Sequence, residues 1–119
     1  MLPKKNRVDK KVVEALFKEG KFVNSPNLSL RFIFAKQDFA PKVSFISPKT
    51  SSKSAVIRNL LRRRGYIALK KYFNKLPRGF FGVFVFGKKS LIAFGGKKSE
   101  DNNPILNLEN EIKIILNRL

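Results

Sequence analysis

The run Ala55-Val56-Ile57-Arg58-Asn59-Leu60-Leu61-Arg62-Arg63-Arg64-Gly65-Tyr66 sets four arginines and an asparagine into an otherwise apolar segment. A guanidinium is a planar fork of donors that can hold a phosphate through two parallel hydrogen bonds, which the point charge of a lysine cannot do. Arg58 and Arg62 are spaced i, i+4, as are Asn59 and Arg63, so on a helix they form one surface. The chemistry open to such a surface is the binding of a polyanion.

Side-chain catalysis is poorly supplied. The 119 residues contain no histidine and no cysteine, which removes the usual general base near neutral pH and the usual transition-metal ligands. The acids are Asp9, Glu14, Glu19, Asp38, Glu100, Asp101, Glu109 and Glu111, so none lies from Phe39 to Ser99. A two-metal nuclease would need carboxylates there. The same stretch carries fifteen of the 26 lysines and arginines, and the net charge is +18. Such a balance attracts nucleic acid or an anionic membrane. Any reaction is therefore expected to take its chemistry from a partner, with no small-molecule substrate.

The elements that must position this surface are those of a single domain, residues 1–119. Hydrophobic residues make up 43%, enough to fold. Without cysteine there is no disulfide framework. No stretch reads as a signal peptide or a membrane span, so a cytoplasmic protein is expected. Val8 to Lys18 reads as a helix on Val12, Val13, Leu16 and Phe17, stopped by Gly20. Leu28 to Phe34 alternates as a strand, and Lys42 to Ser47 reads as a second that pairs with it in an antiparallel hairpin. Ser54 can cap a helix from Ala55 to about Asn74. Phe80 to Phe86 is nearly all apolar, as a central strand is. Leu91 to Phe94 reads either as an edge strand or as a packed loop. Asn102-Asn103-Pro104 opens a last helix with Leu108, Ile112, Ile115 and Leu116 in one stripe.

The order helix-strand-strand-helix-strand-helix predicts an α+β two-layer sandwich, with helices packed on a small mixed sheet. Most of the twelve phenylalanines fall on strand faces and are expected in the core. One left uncovered could stack an unpaired base.

On the central helix, Val56, Ile57, Leu60, Leu61, Ile67 and Ala68 are expected to face the sheet, with Arg58, Asn59, Arg62, Tyr66 and Lys70 opposite and Arg63 on their flank. Asn59 has poor mid-helix propensity and needs another reason to be there, RNA contact or a bond to a neighbouring loop. Arg64 points to the apolar side, where an unpaired charge is costly. A kink or local break near Gly65 is expected, with Arg64 snorkelling out or meeting a carboxylate such as Glu109 or Glu111.

Ala55-Val56-Ile57-Arg58-Asn59-Leu60-Leu61-Arg62-Arg63 resembles the signature region of the bacterial ribonuclease P protein component. Leu2-Pro3-Lys4-Lys5-Asn6-Arg7-Val8, with Phe17-Lys18 before Gly20, resembles that family's N-terminus. The element order and length agree, so the resemblance spans nearly the whole chain. It implies a small subunit that binds a large catalytic RNA and assists endonucleolytic removal of 5′ leaders from precursor tRNA. In that family the RNA performs the hydrolysis, with Mg²⁺ held mainly by the RNA. The implied fold is like that of a ribosomal-protein domain, with a left-handed βαβ crossover, against the right-handed default.

Carried over by position, the resemblance implies that Arg58, Asn59, Arg62 and Arg63, with Lys53, bind the catalytic RNA. Phe17, Val13, Arg31, Lys49 and Arg7 would meet the leader. Leu60, Arg64 and Gly65-Tyr66 depart from the family pattern, Val13 stands where a second aromatic is usual, and Arg31 takes a strand position often aromatic. Leader binding is thus expected to lean on charge more than on stacking. The alternatives are a ribosomal or other structural RNA-binding protein and, further off, a DNA-architectural protein, which would want a dimerising element or a wedge arm. Membrane-surface binding would need the apolar helix face that the core requires.

Overall fold

The computed structural model describes residues 10–34, 40–97, 99 and 102–119. Arg7 lies outside these residues, as does the side chain of Val13. Helix α1 spans Lys10–Glu19, and β1 (Lys21–Asn24) and β2 (Leu28–Phe34) follow. After β3 (Lys42–Ile46) come α2 (Ala55–Lys70), a 3₁₀ turn (Phe73–Lys75) and β4 (Phe80–Phe86). A short α3 (Ser90–Phe94) and α4 (Pro104–Leu116) complete the α+β sandwich.

The sheet order is β1-β2-β4-β3. The hairpin expected between β2 and β3 does not form, because β4 lies between them. It pairs antiparallel with β2 and parallel with β3. The reason is in the composition of β4: a strand apolar on both faces is most stable with a neighbour at each edge and layers above and below. The strand β1 was not expected. It pairs antiparallel with β2 in the register Phe22↔Arg31, and at four residues it is too short to show a convincing alternation.

One face of the sheet carries the main core. Leu30 and Phe32 of β2, Phe45 of β3 and Phe80, Phe84 and Phe86 of β4 meet Leu61, Ala68 and Leu69 of α2 and Leu108, Ile112 and Ile115 of α4. Phe45 stacks on Phe84, with ring centroids 4.9 Å apart. On the other face α1 contributes Leu16, fully buried against Val83, with Ile33, Ile46 and Val85 beside them.

The central helix ends at Lys70 rather than near Asn74. Tyr72 to Leu76 tightens into the 3₁₀ turn, and Gly79 reverses the chain at φ 80°, a conformation that favours glycine. Residues Leu91 to Phe94 belong to α3, so they are neither strand nor loop. Ser90 Oγ donates to Gly87 O at 2.7 Å, and Phe94 is buried edge-on to Phe86. Asn103 caps α4 by accepting from Leu106 N, with Pro104 at its first position, where the missing N–H is not needed.

Candidate nucleic-acid interface

Helix α2 runs unbroken from Ala55 to Lys70, with Leu61, Gly65, Tyr66, Ala68 and Leu69 buried. No break interrupts the helix near Gly65. Gly65 is instead a point of close approach, since a Cβ there would lie 2.6 Å from the Phe45 ring. The buried face is turned from the one expected: Val56 and Ile67 are 75% and 57% exposed, while Tyr66 is buried. Its hydroxyl accepts from the Phe45 backbone N–H at 3.2 Å, so an amphipathic ring displaces aliphatic side chains from the sheet.

Arg64 is half-buried and paired, with carbonyls rather than carboxylates. Its Nη1 donates to Phe94 O and to Gly96 O, both at 2.6 Å, which satisfies carbonyls at the C-terminal end of α3. Asn107 of α4 donates to Ala93 O beside them at 2.9 Å. The two acids expected for Arg64 are used elsewhere. Glu109 meets Lys71 at 3.2 Å, and this hydrogen bond and the carboxylate charge raise the ammonium above its ordinary value of 10.5. Glu111, buried in α4, accepts from Ser25 Oγ at 2.6 Å and from Asn27 N at 2.7 Å, fastening the β1–β2 turn.

The remaining polar side chains of the helix turn outward. Asn59, Arg62 and Arg63 are exposed and Arg58 is half-buried. Arg58 Nη1 donates to Ser52 O at 2.9 Å, so its fork is anchored to the preceding loop with donors to spare. Arg62 Nη2 donates to Asn59 Oδ1. Asn59 thus orients Arg62, a role the sequence left open between RNA and a loop. Arg63 has no partner among the described residues. Arg58, Asn59 and Arg62 rim a depression of about 280 Å³ whose floor is Phe45 to Ser47 and Ala55. The loop entering α2 is fixed by Ser51, whose hydroxyl donates to Pro48 O at 2.6 Å and lies 2.7 Å from Ser47 Oγ. It carries Lys49 and Lys53, both exposed. Arg58, Asn59 and Arg62 therefore gather at the end of β3, while Arg63 lines a neighbouring depression with Val56, Asn59 and Arg62. Among the described residues no carboxylate lines either depression.

A second cluster lies on the partly covered sheet face. The Arg31 guanidinium sits 5.2 Å from the Phe17 ring of α1 and 5.5 Å from the Phe22 ring of β1. Phe17 is 43% and Phe22 62% exposed. A guanidinium stacked this way keeps its in-plane donors for a ligand. Phe22 was missed because β1 was missed; the cue was Lys21-Phe22-Val23-Asn24 running into the turn-forming Ser25-Pro26-Asn27. Phe22 adds a second exposed ring beside Phe17, so this cluster sets two aromatics around one cation. Lys42 Nζ lies 5.9 Å over the Phe81 ring on the same face. Through the register Arg31↔Val83↔Ser44, this cluster is two strands from β3, or about 10 Å at ordinary strand spacing.

Among the described residues, no three side chains from histidine, cysteine, aspartate and glutamate gather where they could hold a metal ion. The Mg²⁺ implied by the family resemblance has no ligand set there. No described helix is long and apolar enough to cross a membrane.

A family model for ribonuclease P matches residues 2–113. The chain belongs to the ribonuclease P family. Among solved structures, the ribonuclease P protein from Thermotoga maritima superposes with a TM-score of 0.77 at 19% identity, covering 95% of this chain and 96% of that one. The ribonuclease P protein from Staphylococcus aureus gives 0.70 at 17% identity, over 99% of this chain and 92% of that one. At these identities the superpositions establish the shared α+β fold, and the family match carries the rest. No curated protein matches the sequence. As a ribonuclease P protein, the chain serves tRNA processing within a ribonucleoprotein and has an RNA partner. The structural-RNA-binding alternative is not favoured.

Proposed function

We propose that this ribonuclease P protein binds the catalytic RNA through Arg58, Asn59, Arg62, Arg63 and Lys53. The 5′ leader of precursor tRNA lies across the sheet face that holds Phe17 and Arg31. The Lys49 loop, Val13 and Arg7 extend that second contact. The observation that carries this reading is the arginine-rimmed depression at the end of β3, open to solvent and lined, among the described residues, by no acid. Guanidiniums on phosphate and sugar fix position without reading sequence, which suits a subunit that must handle many precursor tRNAs. The polypeptide performs no bond cleavage. Hydrolysis and the Mg²⁺ it uses belong to the RNA, and the complex works in the cytoplasm.

Single-turnover cleavage of precursor tRNA by the cognate catalytic RNA at low Mg²⁺, with and without the protein, tests the reading. Stimulation that requires a 5′ leader is expected. Equal rates with and without the protein would overturn it.

A further inference from the structure

At the opposite end of α2 from the arginine-rimmed depression, a groove of about 500 Å³ opens between the 3₁₀ turn and the last turns of α4. The 16 residues of α2 put the two sites about 24 Å apart along the helix. Tyr72 and Leu76 form the groove's buried floor, and Phe34, Lys75, Lys113 and Leu116 stand around it. Among the described residues, its lining contains two lysines and no acid.

Phe34 is the telling residue. It ends β2 with its ring 53% exposed, yet the ring is held edge-on by Phe32 at 5.7 Å and by Phe80 at 5.8 Å. An exposed aromatic fixed by two buried ones is a stacking platform already ordered, so a planar ligand meets little entropic cost there. Lys75 Nζ lies 5.6 Å from the Tyr72 ring, which places a cation over the floor. Lys113, on α4, supplies positive charge from the other wall. A flat, largely apolar body joined to an anion fits these groups, and a nucleotide has that form.

We infer that this groove is a second RNA site, which takes one unpaired nucleotide with its base on Phe34 and its phosphate between Lys75 and Lys113. The inference rests on the reading of the chain as an RNA-binding subunit and adds a contact remote from both surfaces assigned above. It gives the protein a hold on an unstacked nucleotide about one helix length from the arginine surface.

Titration of the ¹⁵N-labelled full chain with a single-stranded RNA hexamer tests it. Amide shifts are expected in two separate sets, one around Arg58 to Arg63 and one around Phe34, Lys75 and Lys113. The K75A/K113A double variant should lose the second set and keep the first. Phe34→Ala should weaken groove binding about tenfold, within the range for one base stacked on an aromatic ring, and Phe34→Tyr should restore it. Shifts confined to the arginine set would overturn the inference and leave the RNA reading intact, whereas no shifts in either set would overturn both. Groove shifts with octanoate or an acidic amphipathic peptide and none with the hexamer would reassign the groove and equally overturn the inference.

Discussion

On one face of the sheet, Phe80, Phe84 and Phe86 are sealed beneath α2 and α4, and ring packs against ring with almost no exposure. On the other face the described cover is the ten-residue helix α1, whose Leu16 is buried against Val83 with Ile33, Ile46 and Val85 partly buried beside them. Arg31 there is half-buried between two exposed phenylalanines. Both faces are rich in aromatics. They differ in what completes each ring's surroundings, which is other protein on the first face and a cation and solvent on the second. Phenylalanine on a strand is therefore a core residue or a contact residue according to the layer above it.

The largest effect should come from the sealed face. Phe84→Ala should lower stability by about 3–5 kcal/mol through transfer and cavity terms, read by denaturant unfolding. A loss as small as that of a surface substitution would erase the contrast between the faces. Arg64→Leu should come next, since it leaves the carbonyls of Phe94 and Gly96 without this donor. A loss of about 1–3 kcal/mol is expected, with faster amide exchange at residues 90–97; unchanged exchange would show that Arg64 does not hold α3.

Arg31→Ala sharpens the comparison from the open side. It should change stability by no more than about 0.5 kcal/mol and weaken binding of leader-bearing precursor tRNA to the holoenzyme, while mature tRNA binds as before. Equal losses for both substrates would remove the open face from leader contact. The smallest effect belongs to Lys71. Because its ammonium is raised above 10.5 by Glu109, any stabilisation is present at neutral pH and fades as pH rises through the folded-state value. The pair is exposed and screened, so Lys71→Met should melt with the parent protein at physiological salt.

What the sequence revealed and what it hid divide along physical lines. The α+β sandwich, the cap at Ser54, the helix start at Asn102-Asn103-Pro104, and the stripe of Leu108, Ile112 and Ile115 were legible because each rests on local spacing. Strand neighbours were not, since inserting β4 between β2 and β3 depends on nonlocal burial that no window of sequence reports. The same holds for Tyr66 and Gly65. A helical wheel places the tyrosine among the polar residues, and only the close approach of Phe45 shows that the ring belongs inside and that the glycine leaves room for it. Arg64 was correctly marked as misplaced on an apolar face, but its partners are backbone carbonyls from a helix that the sequence did not show. In the candidate interface, the exposure of Asn59, Arg62 and Arg63 on α2 was legible from residue type and spacing alone. Phe22 was not, because its strand is four residues long.

The central claim is that the outward guanidiniums of α2 grip the catalytic RNA while the open sheet face does not. The most direct measurement is the salt dependence of catalytic-RNA affinity for the parent, for Arg58→Ala/Arg62→Ala and for Arg31→Ala. Each lost phosphate contact removes about 0.7–0.9 from the log–log slope. The double variant should therefore bind more weakly and flatten the slope by roughly 1.4–1.8, with Arg31→Ala retaining the parent slope. A double variant with the parent slope, or an Arg31 variant that flattens as much, would contradict the account.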